Sequence, residues 1–119
     1  MAKQFAFPKT RRLTRASEFE HVKKHGRAQG GHFFLLSVLA TGSATRFRAG
    51  FVTPRALGPA VVRNRVRRRL REIVRKHQHE IADGIWIVTI ARASAARATY
   101  QQLEVAWLRL AKRASILAA

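Results

Sequence analysis

The 119-residue sequence contains no cysteine and only six acidic residues, against 24 lysines and arginines. The absence of cysteine excludes a disulfide framework and any zinc site with cysteine ligands. The few carboxylates are scattered, with no obvious pair for acid–base catalysis. The formal net charge of +18 destabilises a compact monomer by self-repulsion, which a polyanionic partner would relieve.

Long hydrophobic runs are also missing. The longest apolar stretches, residues 33–40 and 85–91, fall far short of the roughly 20 residues that span a bilayer. Residues 1–8 contain no apolar segment typical of a signal peptide and no small-residue cleavage site. We therefore expect no membrane partner and a cytoplasmic location.

Apolar residues make up 47% of the chain, which indicates a folded protein and not a disordered basic tail. The length fits one domain over residues 1–119, with a basic extension over 1–10 and a weakly specified tail over 115–119. Most of the basic residues are arginines, whose bidentate hydrogen bonds and stacking favour nucleic acid over a lipid surface. We expect the free protein to be a monomer.

Hydrophobic periodicity predicts three helices and three long strands in the order α-β-β-α-β-α. The helices are expected over residues 17–25, over 60–79 and from 99 onward, and the strands over 33–40, 46–53 and 85–91. Ser17 with Glu20 fits a capping box at the start of the first helix, and Gly26 suits its end. Thr99 with Gln102 fits a second capping box.

The strand patterns predict a mixed sheet with helices packed on it. The short turn between the first two long strands predicts that they form a hairpin. The third strand is apolar on both faces, so we expect it inside the sheet. In the second strand, Arg46, Arg48, Gly50 and Val52 alternate onto one face. An open sheet face that carries arginine suits a single-stranded nucleic-acid backbone.

The helix over residues 60–79 has the most informative pattern. Its apolar stripe covers about a third of the helix circumference, and basic residues fill nearly all the rest. One flank carries Arg63, Arg67 and Arg71, the other carries Arg65, Arg69 and Lys76, and the outer face carries Arg68 and Arg75. Like charges at i, i+4 each cost a few tenths of a kcal/mol in an isolated helix. We therefore expect this helix to meet phosphates, with two flanks that can contact two polyanionic surfaces.

This helix and its lead-in resemble the signature of the bacterial ribonuclease P protein family, which has Gly-Asn-Ala-Val, then Arg-Asn-Arg, Lys-Arg and a further Arg. The matching residues are Gly58, Ala60, Val61, Arg63, Asn64, Arg65, Arg67, Arg68, Arg71 and Glu72. Arg12 and Leu13, followed by Phe19, Val22 and Gly26, resemble the family's N-terminal helix. Residues 33–38 and 90–92 resemble its long strands, so the likeness covers about residues 11–113.

The resemblance implies an α/β fold, a two-layer α-β sandwich similar to the second domain of ribosomal protein S5. It implies four strands, the fourth a short one near residues 27–29, and a left-handed β-α-β crossover, although crossovers are usually right-handed. It also implies that the protein binds the catalytic RNA of ribonuclease P, and that the two remove the 5′ leader from precursor tRNA. The chemistry then belongs to the RNA and its Mg²⁺ ions, and the protein itself supplies no catalytic residue and no metal ligand.

Site residues follow from the matching positions. The RNA-binding residues at these positions would be Arg63, Asn64, Arg65, Arg67, Arg68 and Arg71, and Arg69 of the same helix is counted with them. The leader would lie in a cleft formed by the sheet and the basic helix, with Phe19, Ser37 and Val52 at matching positions. Strand alternation adds Arg46 and Arg48 to this cleft. A plain core contact for Phe19 and a solvated position for Arg48 are the alternatives.

Three other functions compete with this interpretation. A ribosomal or other structural RNA-binding protein fits the composition equally well, and only the central motif discriminates against it. A membrane-active helix fits the amphipathic pattern, but the apolar strands indicate a globular core. His21 and His25 have the i, i+4 spacing of a metal-binding pair, but without cysteine or nearby acids we expect no metal site.

Overall fold

The computed structural model describes residues 9–117, which form one four-stranded sheet and three α-helices in that range. The elements are α1 (Ala16–His25), β1 (Arg27–Gly30), β2 (Phe34–Ala40), β3 (Arg48–Val52), α2 (Ala60–Lys76), β4 (Ile85–Ala91) and α3 (Tyr100–Arg113). The α-β sandwich and the short first strand are confirmed. Most of the predicted basic extension over 1–10, and the last two residues of the chain, lie outside the described residues.

The strands are arranged in the order β1-β2-β4-β3. β1 pairs antiparallel with β2, β2 pairs antiparallel with β4, and β3 pairs parallel with β4. The predicted hairpin between residues 33–40 and 46–53 is therefore wrong, because β4 lies between these two strands. The predicted interior position of β4 is confirmed, because β2 pairs with one of its edges and β3 with the other. The hairpin partner of β2 is β1.

The connection from β3 through α2 to β4 joins two adjacent parallel strands. It is the β-α-β crossover that the resemblance implies, while its left hand stays a prediction. α2, which lies in this crossover, contacts β3, whereas α3 contacts β1 and β2 at the other side of the sheet.

The main core lies between the sheet and the two long helices. Phe34, Phe47, Ile87 and Trp107 are fully buried there. The indole Nε1 of Trp107 donates a hydrogen bond to Thr89 Oγ1 at 3.1 Å, so the polar end of this large side chain is satisfied inside the core. Truncation of such a buried aromatic side chain costs about 3–5 kcal/mol.

The opposite face of the sheet is only partly covered, by α1 and the segment before it. Leu13, Val22 and Val88 form a small second core there. Phe19 of α1 sits directly on Gly50 of β3, where a Cβ would lie 2.5 Å from Phe19 Cε1. This glycine therefore allows the close approach of α1 to the sheet, and among residues 9–117 no further helix covers the rest of this face.

The ends of the helices agree only in part with the sequence analysis. Thr99 and Gln102 form the predicted capping box of α3. The Ser17–Glu20 box is wrong, because α1 begins at Ala16 and Glu18 Oε1 accepts from the backbone N–H groups of Thr14 and Arg15. A carboxylate in the first turn also interacts well with the helix dipole.

Two other boundaries differ from expectation. Gly26 ends α1, but its backbone is extended and not left-handed. The glycine is needed because a Cβ would lie 2.6 Å from Val22 O and 2.7 Å from Val38 O. Beyond α3, Ile116 is 2% exposed and its carbonyl accepts from Ala82 N at 2.8 Å. The first residues of the predicted tail are therefore part of the packed structure.

α2 ends three residues before the predicted boundary, and a histidine fixes this end to α3. His77 Nδ1 lies 2.6 Å from Glu80 Oε2, and His77 Nε2 lies 2.8 Å from Glu104 Oε2. Both ring nitrogens donate to carboxylates only when the imidazole is protonated. Burial lowers the pKa of His77, but the two carboxylates outweigh burial and raise it above its ordinary value.

We expect His77 to make the stability depend on pH. Because its pKa is raised on folding, its contribution is complete below the ordinary value of 6.5 and is lost as pH rises through the higher folded pKa. The free energy of unfolding, measured by urea denaturation, should therefore fall as the pH rises above 6.5. His77→Gln should lose about 1–2 kcal/mol at the lower pH and flatten the profile.

The exposed His25 offers a matched control. His25→Gln should keep the pH dependence of the wild-type protein. Equal profiles for both variants would show that the His77 ion pairs do not stabilise the fold.

Candidate nucleic-acid interface

The apolar stripe of α2 determines where its arginines point. Val66, Leu70, Ile73 and Val74 are fully buried against the sheet and α3. The residues between them therefore face outward over the rest of the helix circumference. The predicted apolar stripe is confirmed at these four positions, and the two arginine flanks lie on opposite sides of it.

One flank, Arg63, Arg67 and Arg71, faces β3 and the segment before α1. Arg67 donates to Asn64 Oδ1 at 3.1 Å and to Thr53 Oγ1 just beyond β3. The Nε atoms of Arg63 and Arg71 are buried without a hydrogen-bond partner in the described structure. Burial lowers the pKa of Arg71, and repulsion by Arg12 and Arg67 lowers it further. Positive charge is therefore concentrated on this side beyond what the fold neutralises.

The other flank is anchored by backbone carbonyls. Arg65 donates to Ala96 O at 3.1 Å, and Arg69 donates to Ala98 O at 3.0 Å. Both acceptors belong to the short segment that leads from β4 into α3. A carbonyl carries no net charge, so these guanidiniums are oriented without being neutralised.

The outer face of α2 carries Arg68 and Arg75. Arg68 is exposed, whereas Arg75 forms an ion pair with Glu72 one turn away. Arg68 thus lies at the outermost part of the helix. Asn64 is exposed too, but its amide oxygen accepts from Arg67, so it helps to position that arginine.

A groove lies on the open face of the sheet, beside α1. Three predicted cleft residues line it together, namely Phe19 from α1, Ser37 from β2 and Val52 from β3. Val88 and Ile90 of β4 form its floor, and the cavity measures about 210 Å³. Ser37 is the only one of these three residues with a polar side chain, and it is 7% exposed. Phe19 both packs against the small core and lines the groove.

Arg48 lies next to this groove and is not simply solvated. Its guanidinium pairs with Glu18 at 2.6 Å, donates to Arg12 O at 2.9 Å and lies 5.2 Å from the centre of the Trp86 ring. Burial raises the pKa of Glu18, but hydrogen bonds from Arg15, Thr14 and Arg48 outweigh it and lower the pKa overall. The ion pair also ties α1 to β3.

Arg46 does not join the predicted cleft. Its guanidinium pairs with Asp83 at 2.6 Å and donates to Gln78 O at 2.8 Å. Strand alternation placed Arg46 on the cleft face, but β3 begins only at Arg48, so the pleat does not extend that far. The long side chain instead reaches the turn between α2 and β4.

Two residues at this interface were missed by the sequence analysis. Trp86 lies on the open face under Arg48. Arg12 faces Arg71 because it forms a β-bridge with Ala49. Alternation along β4 could have placed Trp86 on this face, whereas the position of Arg12 depends on a tertiary contact.

Two further properties concern the described residues as a whole. Among residues 9–117, no three or more histidine and acidic side chains come together in a way that could hold a metal ion. None of the helices in this range is long and apolar enough to cross a membrane.

An α/β sandwich with a cationic helix on one face and an apolar groove on the other has the features of a nucleic-acid-binding protein. The comparisons specify the family. The Ribonuclease P family model matches residues 7–115. The ribonuclease P protein component of Syntrophomonas wolfei is 30% identical over 110 residues, 92% of each chain. That of a Roseiflexus species is 38% identical and covers 91% of this chain and 88% of its own.

Solved structures agree with this result. The ribonuclease P protein of Staphylococcus aureus superimposes with a TM-score of 0.85 at 27% identity, covering 92% of this chain and 99% of that one. The protein of Thermotoga maritima gives a TM-score of 0.77 at 29% identity, covering 86% and 96%. The chain therefore belongs to the bacterial ribonuclease P protein family.

The crowded flank of α2 leads to a prediction about salt. Arg71→Met keeps the aliphatic volume but removes a charge that Arg12 and Arg67 repel, so the variant should melt at a higher temperature than the wild type in low salt. The difference should vanish at about 1 M salt, where the screening length is about 3 Å. Arg68→Met, on the outer face, is the matched control and should change the melting temperature less. Equal shifts for both variants would contradict local crowding.

Proposed function

We propose that this chain is the protein subunit of ribonuclease P, and that it assists a catalytic RNA in removing the 5′ leader from precursor tRNA. In addition to family membership, one structural observation supports this proposal. The arginine flank of α2 that retains the most unneutralised charge adjoins Thr53, directly beyond the strand end that lines the groove. A phosphate backbone and its bases can therefore be bound side by side.

The groove suits a single strand and not a duplex. Its apolar floor and the Phe19 ring offer a surface for an unstacked base, which is typically worth about 1–3 kcal/mol per base. The guanidiniums of Arg63, Arg67 and Arg71 would contact the phosphates beside it. Such contacts position the strand without selecting a sequence. The proposed ligand is thus the leader, which precedes the folded part of the precursor.

The opposite flank would contact the catalytic RNA. Arg65 and Arg69 are held in fixed directions by the carbonyls of Ala96 and Ala98, and Arg68 is exposed between the flanks. Pre-oriented guanidiniums lose less conformational entropy when they bind phosphates. With leader on one flank and catalytic RNA on the other, α2 would hold the cleavage site at the RNA active site.

Mg²⁺ belongs to the RNA in this proposal. The only acid that lines the groove is Glu20, and Glu18 nearby is paired with Arg48. This donor set does not fit a Mg²⁺ site, which needs several oxygen ligands. The protein would favour metal binding indirectly, by holding substrate and RNA together, and the holoenzyme would work in the cytoplasm.

Reconstitution tests the proposed function. The wild-type protein, added to a bacterial ribonuclease P RNA at low Mg²⁺, should restore cleavage of the 5′ leader from precursor tRNA. The binding constant for the RNA should fall steeply with salt because counterions are released. Absence of cleavage together with salt-dependent binding would favour a ribosomal or other structural RNA-binding role.

A pair of double variants separates the two flanks of α2. Arg63→Gln with Arg67→Gln should reduce the preference for precursor over mature tRNA by roughly tenfold, because two phosphate contacts to the leader are lost. Arg65→Gln with Arg68→Gln removes the same charge and should weaken assembly with the catalytic RNA while keeping that preference. Both quantities come from titrations of the reconstituted holoenzyme. If the first pair weakened precursor and mature tRNA equally, the leader would not lie on that flank.

A further inference from the structure

A second cationic surface lies at the edge of the sheet farthest from β3. It is a cavity of about 520 Å³ between α3 and the turn that joins β1 to β2. We call it the α3 groove, and its main lining residues are Phe33, Gln102, Val105, Arg109, Leu110 and Arg113. The proposed leader groove is on the other face of the sheet, so the two cavities are separate.

The α3 groove has an apolar floor that the fold leaves open. Val105 is 52% exposed, one of two large hydrophobic side chains in the described structure that face solvent to this extent. Beside it lies Phe33, whose ring makes an edge contact with the exposed His32 at 4.6 Å between centroids. Gly31 keeps the turn close to α3, since a Cβ there would lie 3.2 Å from Leu110 Cδ1. The volume and the aromatic wall suit one unstacked base.

The arginines of this groove differ from most of those on α2. Arg109 and Arg113 are exposed and stand one turn apart on α3, where like charges repel. Neither guanidinium makes a hydrogen bond or an ion pair with any group in the described part of the chain. Arg67, Arg69 and Arg75 on α2, by contrast, all have such partners. Two unpaired, mutually repelling arginines beside an apolar floor fit an anionic ligand that also has an apolar part.

The positive charge continues beyond the α3 groove. Arg113 also lines a second cavity, of about 530 Å³, together with His25 and Arg27 at the free edge of β1. Neither cavity has an acidic residue in its lining. The three arginines therefore form a track along this edge of the molecule, and a chain of phosphates could follow it over more than one nucleotide.

We propose that the α3 groove is a further RNA-binding surface, which takes an unpaired nucleotide with its base on Phe33 and Val105 and its phosphate on Arg109 and Arg113. The inference rests on the proposed function only in that RNA is the partner. RNA is favoured over an acidic protein segment because the track is lined by arginine and histidine, and because its cations extend over two adjoining cavities. Within a holoenzyme, this surface would bind a segment of RNA that neither flank of α2 reaches.

Binding to a short single-stranded RNA tests the proposal with the full-length protein. Arg109→Gln with Arg113→Gln is compared with Lys24→Gln and Lys112→Gln, which are exposed, remove the same charge and line neither cavity. The groove variant should lose roughly tenfold more affinity than the control at physiological salt, and the slope of log affinity against log salt should fall by about 1.4 more. Arg109→Lys with Arg113→Lys should recover most of the loss.

Cross-linking supplies an independent measurement. Thiouridine-labelled RNA, irradiated with the wild-type protein, should cross-link to the peptide that contains His32 and Phe33, and the groove variant should lose this product. Equal affinities for the groove and control variants, without that cross-link, would overturn the proposal. If the groove variant kept its RNA affinity but lost binding to polyglutamate, the surface would instead take an acidic protein segment.

The proposed function has a separate readout. Restored cleavage by the wild-type holoenzyme tests the role in ribonuclease P, whereas oligonucleotide binding and cross-linking report on the α3 groove. Cleavage with no cross-link at His32 and Phe33 would overturn only the groove proposal. Cross-linking without cleavage would overturn only the proposed function.

Discussion

Burial of the apolar stripe of α2 is the interaction on which the rest of the structure depends. Val66, Leu70, Ile73 and Val74 are fully buried, and each stabilises the fold by about 1.5–3 kcal/mol. This burial opposes the repulsion among the arginines on the same helix. Because the stripe also sets the rotation of α2, it decides which arginines face β3 and which face the segment before α3. The geometry of the RNA interface is therefore a consequence of core packing.

The few acids of the chain support this arrangement by their positions. Five of the six form ion pairs, and four of the six pairs join segments that are distant in sequence, such as Glu18 with Arg48 and Glu104 with Lys76. The arginines of the two α2 flanks are oriented differently, by a hydroxyl, an amide or backbone carbonyls. Neutral acceptors fix a guanidinium without cancelling its charge. Carboxylates thus hold the fold together, while the positive field at the interface persists.

Local patterns predicted the elements better than their partners. The periodicity of α2, the capping box at Thr99 and the interior character of β4 are all properties of neighbouring residues, and the structure contains each of them. The false hairpin came from applying a local rule to strand pairing, which is a long-range property. The correcting information was the interior position already predicted for β4, since with three long strands it leaves β2 and β3 on either side of β4.

The candidate site shows the same limit at the level of single side chains. Phe19, Ser37 and Val52 meet in one groove, as strand alternation and the family resemblance indicated, since each lies within a regular element. Arg46 was misplaced because it precedes β3, where alternation no longer determines direction. Alternation along β4 could have placed Trp86 on the open face, but not beside Arg48, because that contact depends on the parallel pairing of β3 with β4. Arg12 could not be assigned to the interface from the sequence, because its position depends on the long-range β-bridge with Ala49. The topology of the sheet therefore determines which side chains join the arginines of α2 at the cationic surface.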